Sequence, residues 1–206
     1  MSGSNRREDS ASCVYLLLAF TLLAAIEGCS SSPLESWANL GARCPPDAPA
    51  LVVSQAALDS LPPDTRNDLN TEWAAAARRV PGGWGGYFFR NGRSTMYMLE
   101  PSLKEEALAA LRLEGIYVGG DPVVLLGRWD FAQLYDWYRY LRPHLVAGVI
   151  ETDVDESKNR LHYGVVDGGV RTAFEGTLAE LGVPCHLVAI SIQQIPVAAT
   201  PPGPTQ

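Results

Sequence analysis

The side chains best suited to chemistry in this 206-residue chain are four cysteines, and Cys29 has the most informative surroundings of the four. It follows an uncharged apolar run, Val14 to Ile26, that Arg6 and Arg7 precede. Such a run of about 13 residues, with a basic segment before it and a small residue after it, is typical of a secretory signal peptide. A membrane-spanning helix would need about 20 apolar residues. The sequence therefore predicts an exported protein from which a signal peptide, residues 1–28, is removed.

The residues that end this run, Ile26-Glu27-Gly28-Cys29, resemble the lipobox of bacterial lipoproteins. In that family a small residue precedes a cysteine that receives diacylglycerol, carries acyl chains such as palmitate and becomes the new N-terminus. Glu27 departs from the pattern, because the family usually has a small uncharged residue there. The resemblance implies a membrane anchor on Cys29, and Ser30 after it implies the outer membrane if the organism is a diderm. The alternative is an ordinary signal peptide that releases a soluble secreted or periplasmic protein.

Cys44 and Cys185 are the two cysteines of the part that would fold after export. An oxidising compartment favours a disulfide between them. The disulfide would close a loop of about 140 residues and, on the chain-entropy model, stabilise the fold by about 4–5 kcal/mol. Two separate buried thiols are the alternative. The sequence contains no CxxC motif and no Cys/His cluster with zinc spacing, so we expect no metal and no cofactor.

A short acidic segment imitates a calcium loop, since Asp153, Asp155, Ser157 and Asn159 place oxygen atoms at alternate positions. Lys158 stands where the loop needs glycine, and the twelfth position is not the required glutamate. We therefore interpret the segment as a solvated hairpin turn.

The three histidines give weak catalytic signals. His162 alternates with apolar residues on a predicted strand and is interpreted as an ordinary strand histidine. His186 adjoins Cys185, but neighbours on a strand point to opposite faces and do not share a proton readily. The sequence therefore predicts no catalytic residue.

The stretch Gly82-Gly83-Trp84-Gly85-Gly86 imitates a phosphate-binding loop. It lacks the Gly-Lys-Ser/Thr sequence of such loops, and it precedes a predicted strand rather than a helix. We expect it to be a flexible lead into that strand.

The charge of the chain excludes one class of partner. The full chain carries 16 Lys and Arg against 23 Asp and Glu, and removal of residues 1–28 leaves 14 against 20, a net charge of −6. Nucleic-acid binding depends on clustered basic residues, so we expect no nucleic-acid partner. The lipid on Cys29 is the expected membrane contact.

The elements that would position these residues form an internal repeat, whose two copies lie at about residues 81–127 and 147–197. In the first copy, Asn91-Gly92 between two β-rich runs predicts a hairpin. A helix follows, for which Ser102 and Glu105 suggest a capping box, and a strand near Val123 completes the unit. The second copy repeats this order. The pattern predicts an α+β fold of two ββαβ, ferredoxin-like repeats, with antiparallel sheets covered by helices.

A helix capped by Asp130 is predicted to join the two copies and is unusually aromatic. It is apolar on more than one side, so it is either buried between the repeats or half exposed for a partner. The second alternative makes a candidate interaction surface of four side chains: Trp129, Tyr135, Trp137 and Tyr140.

The chain divides into four parts on composition and pattern. The signal peptide at 1–28 is followed by a tether at 29–50, the α+β module at 51–197 and a disordered Pro-rich tail at 198–206.

The second copy, from Val149-Ile-Glu-Thr-Asp153 through Leu181-Gly182-Val183-Pro184, resembles the pro-regions of α-lytic-protease and streptogrisin-type serine proteases. Those pro-regions are folding chaperones and inhibitors of their own protease. The resemblance implies a non-catalytic protein-binding module that acts on a separate secreted or envelope protein, such as a protease. A small envelope enzyme with an unrecognised site and a passive structural envelope lipoprotein are the alternatives.

Overall fold

A computed structural model describes residues 52–63 and 69–193 of the chain. The predicted signal peptide, the tether with Cys29 and Cys44, and the predicted tail lie outside these residues. Among the helices that are described, none combines the length and the apolar character that crossing a membrane requires.

The first repeat follows two helices and has the predicted order of strand, strand, helix, strand. Its hairpin turns at Asn91 and Gly92, whose φ angles of 51° and 74° are both positive. A two-residue turn of this kind needs that conformation, which Asn and Gly adopt most readily. The elements are α1 (Gln55–Asp59), α2 (Leu69–Arg79), β1 (Gly86–Arg90), β2 (Arg93–Met98), α3 (Lys104–Leu113) and β3 (Val123–Leu126).

The second repeat follows a joining helix and has the same order. Gly182, with a φ angle of 66°, lies just beyond the last helix, as expected for a glycine at the end of a helix. The elements are α4 (Phe131–Leu141), β4 (Val149–Asp155), β5 (Arg160–Val165), α5 (Gly168–Glu180) and β6 (Val188–Ile192).

Each repeat forms its own three-stranded sheet, in the order β1-β2-β3 and β4-β5-β6. The hairpin strands are antiparallel, but β3 runs parallel to β2 and β6 runs parallel to β5. The α+β class is confirmed, whereas the prediction of wholly antiparallel sheets is wrong. A helix that crosses one face of a sheet brings the chain back to its starting edge, so the next strand runs in the same direction.

The two predicted helix caps have different outcomes. Asp130 forms a complete capping box with Gln133 at the start of α4. The box predicted from Ser102 and Glu105 is wrong, because α3 begins at Lys104 without a side-chain cap. The carboxylate of Glu100 instead accepts a hydrogen bond from the Ser102 N–H, which stabilises a 3-10 turn before the helix.

The core is continuous, and α4 lies at its centre. The hydroxyl of Tyr135 is 3.0 Å from that of Thr71 in α2, and the hydroxyl of Tyr138 is 3.4 Å from that of Thr152 in β4. The ring of Phe131 at the start of α4 lies 5.3 Å from that of Trp73 in α2 and 5.2 Å from that of Trp84 in the first repeat. The joining helix therefore packs against both repeats through its two aromatic sides.

Candidate binding site at the junction of the two repeats

Asn159 joins the two repeats at the turn between β4 and β5. Its side-chain Oδ1 accepts hydrogen bonds from the backbone N–H groups of Arg128, at 2.7 Å, and Trp129, at 2.9 Å. Its Nδ2 donates to the carbonyl oxygens of Gly85, at 2.8 Å, and Trp129, at 2.7 Å. The side chain is buried and uses both of its donors and both acceptor positions, all with backbone groups of the preceding repeat and its linker.

The backbone of Asn159 suits this position as well as its side chain does. Its φ angle is 53°, in the left-handed region that asparagine adopts more readily than most residues. Two residues that lie against the turn, Gly85 and Gly86, leave no space for a side chain. A Cβ on Gly85 would lie 2.6 Å from Asn159 Nδ2 and would overlap Trp129 O, and one on Gly86 would lie 2.9 Å from the Cβ of Glu156. Gly83, Gly85 and Gly86 of the glycine-rich stretch are thus closely packed, which its interpretation as a flexible lead did not include, whereas Gly82 has open space around it.

Two adjoining clefts open around this junction. The smaller, of about 330 Å³, lies beside Asn159 and is lined by Arg128 and His186 among others. The larger, of about 490 Å³, lies beside the outer strand β1 and is lined by Phe88, Phe89 and Arg90. Tyr97, Lys158 and Arg160 line both. The clefts are therefore two parts of one groove along the junction.

The lining of this groove is cationic and aromatic. Arg90, Arg128, Lys158 and Arg160 line it, and among the described residues no aspartate or glutamate does. Lys158 Nζ is 2.5 Å from an oxygen of Asp155, so the positive charge of Lys158 is partly neutralised by this ion pair. Partial desolvation raises the pKa of Asp155. The hydrogen bonds from Lys158 and Ser157, together with the charge of Lys158, outweigh desolvation and hold this pKa below its usual value. Arg160 donates only a long bond of 3.4 Å to the Lys158 carbonyl.

The outer strands of both sheets expose apolar side chains. One large apolar residue on each outer strand is exposed, while the central strands β2 and β5 carry none. The four are Phe89 in β1 at 67 %, Leu126 in β3 at 76 %, Ile150 in β4 at 46 % and Ile192 in β6 at 52 %.

The face of the second sheet that turns away from its buried core is polar. His162 Nε2 lies 2.9 Å from Ser191 Oγ, and its Nδ1 lies 3.9 Å from Glu151 Oε2. Gln193 donates to the same Glu151 carboxylate. Partial desolvation, followed by repulsion from Asp155, raises the pKa of Asp153 on this face. A hydroxyl, an imidazole and a carboxylate are thus in line on an open sheet face, and none of them lines either cleft.

The cysteines are only partly within the described residues. Cys185 is buried and disulfide-bonded. Cys44 and Cys29 lie outside the described residues, so the Cys44–Cys185 pairing and the lipidation of Cys29 stay predictions. His186, next to Cys185, is exposed and lines the smaller cleft.

The four aromatic side chains of the candidate interaction surface lie mostly inside the molecule. Trp129, Tyr135 and Trp137 are buried, and Tyr140 is half-buried with its ring 5.8 Å from that of Trp137. These side chains therefore present little accessible area to a partner. The two-sided apolar pattern reflects the position of α4 between the repeats.

The segment that imitates a calcium loop is committed to other contacts. Asp155 accepts hydrogen bonds from Ser157 Oγ, at 2.6 Å, and from Lys158, while Asn159 faces the first repeat. Asn159 is buried, so the turn is not wholly solvated as predicted. Within the described ranges, no group of three or more His, Cys, Asp or Glu side chains is placed to hold a metal ion.

The arginines of the groove were not predicted from the sequence. Arg90 is the last residue before the first hairpin turn, and Arg160 is the first residue after the second turn, 70 residues later. The two arginines therefore stand at different positions in the two repeats. Only the packing of the second hairpin on the first brings them to one cleft. The one signal in the sequence is that basic residues border both turns of an otherwise acidic chain.

No protein-family model matches the chain, and neither a curated protein nor a solved structure matches it. Its function is therefore inferred from the geometry of the described residues.

Proposed function

We propose that this chain is a non-catalytic protein-binding module that pairs with a partner through its outer strands. The observation that carries the proposal is the exposed apolar side chain on each of the four outer strands. Soluble proteins commonly protect such edges with charges, as Glu151, Asp153 and Asp155 do on β4, because an unprotected edge pairs with other chains. An edge that presents apolar side chains to solvent suits the addition of a partner strand.

The setting of this module is the cell envelope. Lipid on Cys29 would anchor the chain to a membrane, and the segment before residue 51 would be the tether to the folded module. The support for this part is the sequence of residues 6–33. A soluble exported form is the alternative.

The most specific version of the proposal is a chaperone or inhibitor of a separate secreted protease. Its support is the resemblance of the second repeat to protease pro-regions, together with the ββαβ order shared by both repeats. We further propose that the two units are ferredoxin-like repeats. Deletion of residues 198–206 should then weaken inhibition, since the corresponding end of those pro-regions lies in the protease cleft. Unchanged inhibition by the truncated chain would remove this version.

Affinity capture from native envelope and secreted proteins tests the binding module. The exposed residues of the outer strands are replaced singly by lysine: Phe89→Lys, Leu126→Lys, Ile150→Lys and Ile192→Lys. Leu113→Lys is the matched control, because Leu113 is equally apolar, is 73 % exposed and lies on α3 rather than a strand. At least one strand variant should lose a partner that the wild-type chain and the control retain. Capture of no partner would favour a passive envelope protein.

A small hydrolase is the second candidate function. It is favoured by the distance of 2.9 Å between Ser191 Oγ and His162 Nε2, with Glu151 on the other side of the imidazole. A nucleophile, a base and an orienting carboxylate are the parts that acyl transfer requires. Hydrolysis of an activated ester by the wild-type chain and its loss in Ser191→Ala would support this candidate. Equal rates in both would exclude it.

A further inference from the structure

We infer that the groove at the junction binds an acidic, extended segment of the partner, whose carboxylates lie against Arg90 and Arg160. The inference rests on the proposed protein-binding function and gives that partner a chemical class. Three features carry it: the unpaired cations, the aromatic wall and the position of the groove beside an outer strand.

Two arginines of the groove lie in one cleft without an ion pair. Within the described residues, neither Arg90 nor Arg160 takes part in an ion pair. Four cations on other surfaces have carboxylate partners: Arg78 with Asp136, Arg79 with Glu114, Lys104 with Asp121 and Arg171 with Glu175. Arg93, Arg112 and Arg142 have none among the described residues either, but they line neither cleft. Asp155 lies opposite Arg160 across the two strands but forms its ion pair with Lys158, so two arginines that share one cleft are left to attract an anionic ligand.

Arginine also suits a carboxylate by shape. Its planar guanidinium donates two parallel hydrogen bonds to one carboxylate, which a rounded ammonium group cannot do. Lys158 is already held by Asp155, so it adds positive potential to the groove rather than a free donor fork. We therefore assign the two carboxylate contacts to Arg90 and Arg160.

The wall of the larger cleft favours a peptide over a free anion. The rings of Phe88 and Tyr97 stack at 5.5 Å on the face of the sheet that also carries Arg90, whereas Phe89 points to the other face and contacts Tyr87. Phe88 is only 9 % exposed, so the half-buried ring of Tyr97 gives the main apolar contact to an extended segment. The cleft also adjoins β1, an outer strand with a free side for main-chain pairing among the described residues.

Fluorescence anisotropy with a synthetic probe tests the inference on the mature chain. The probe is a dye-labelled peptide of about six residues, a usual strand length, in which valine and glutamate alternate. A second peptide has glutamine in place of each glutamate. The acidic peptide should bind about tenfold more tightly than the glutamine peptide, and the difference should shrink as salt rises from about 0.05 to 0.3 M.

The double variant Arg90→Gln/Arg160→Gln should reduce affinity for the acidic peptide about tenfold and leave the glutamine peptide unaffected. Its matched control is Arg112→Gln/Arg142→Gln, which removes the same charge outside the groove. Circular dichroism melting confirms that both variants fold. Absence of acidic-peptide binding, equal binding of both peptides, an equal loss in the control, or tighter binding of a single-stranded oligonucleotide would each overturn the inference.

The two proposals fail in different ways. If the captured partner is retained by Arg90→Gln/Arg160→Gln but lost in an outer-strand variant, the groove inference is wrong and the binding module stands. If the wild-type chain captures nothing, the proposed function itself is wrong.

Discussion

The side-chain amide of Asn159 donates a hydrogen bond of 2.8 Å to the carbonyl oxygen of Gly85, 74 residues earlier in the chain. This bond joins the hairpin turn of the second repeat to the residue that precedes the first strand of the first repeat. Three further bonds from the same side chain hold Trp129 and Arg128. The groove exists because this turn is fixed there, so its stability and its shape depend on one buried amide.

Replacement of Asn159 by glycine measures the contribution of these four hydrogen bonds to the stability of the fold. Glycine adopts the same positive φ angle without strain, so the change removes side-chain hydrogen bonds and little else. A net contribution of about 1 kcal/mol for each of the four bonds predicts a loss of about 4 kcal/mol in the free energy of unfolding. Urea denaturation measures this loss. A change below about 0.5 kcal/mol, the usual size for surface substitutions, would show that the turn is held by other contacts.

Replacement of Gly85 by alanine should destabilise the same junction from the other side. The added Cβ would lie 2.6 Å from Asn159 Nδ2, and the backbone of Trp129 cannot move aside cheaply. We expect a loss of about 2–3 kcal/mol, typical of overpacking. Gly176→Ala is the control, and it should stabilise the fold rather than destabilise it. Gly176 lies in α5 with nothing within 4 Å of an added Cβ, so helix propensity predicts a gain of about 1 kcal/mol. Thermal melts that rank the two variants the other way would contradict this account.

Tyr163 offers a stabilising change in the core of the second repeat. Its hydroxyl is buried and has no hydrogen-bond partner among the described residues, and its ring contacts Phe174 at 4.9 Å. Burial raises the pKa of this hydroxyl above its usual range, so it stays neutral. Tyr163→Phe removes the unsatisfied group and keeps the ring, and should raise the free energy of unfolding by about 1 kcal/mol. A loss of stability in chemical denaturation would mean that the hydroxyl has a partner in solution.

Asp130 makes stability depend on pH. Burial raises the pKa of its carboxyl above 3.8, although hydrogen bonds from the N–H groups of Gln133 and Gly82 oppose the rise. At pH values between the pKa of Asp130 in the unfolded chain and its higher pKa in the folded chain, the folded state binds more protons. The protonation of Asp130 therefore stabilises the fold fully at pH values below the unfolded pKa. This contribution is lost as pH rises through the folded pKa.

Asp130→Asn removes that contribution. The free energy of unfolding, measured by denaturation at several pH values from about 4 to 7, should therefore fall less with rising pH in the variant than in the wild-type chain. A larger loss in the variant would mean that the hydrogen bonds outweigh burial and that the pKa of Asp130 is lowered.

Features that depend on neighbouring residues could be predicted from the sequence. The Asn91-Gly92 turn and the cap of α4 by Asp130 both need only residues within one turn of the chain. The direction of β3 needed the path of the helix before it, and strand alternation contains no information on that direction.

The candidate site could not be predicted, because its parts are distant in sequence. The packing that makes Gly85 necessary comes from Asn159 and Trp129, so the glycine-rich stretch alone suggested flexibility. Arg90 and Arg160 share a cleft only after the second hairpin has packed on the first. Asn159 alone had a local signal, in its place within a hairpin turn.

Amide hydrogen exchange of the mature chain, measured with and without a captured partner, tests the proposed strand pairing most directly. Outer-strand amides that face solvent should exchange quickly in the free chain and slowly in the complex, because a partner strand accepts their hydrogen bonds. The account predicts new protection in β1, β3, β4 or β6, with little change in β2 and β5. Protection confined to the helices, or no change in any outer strand, would contradict it.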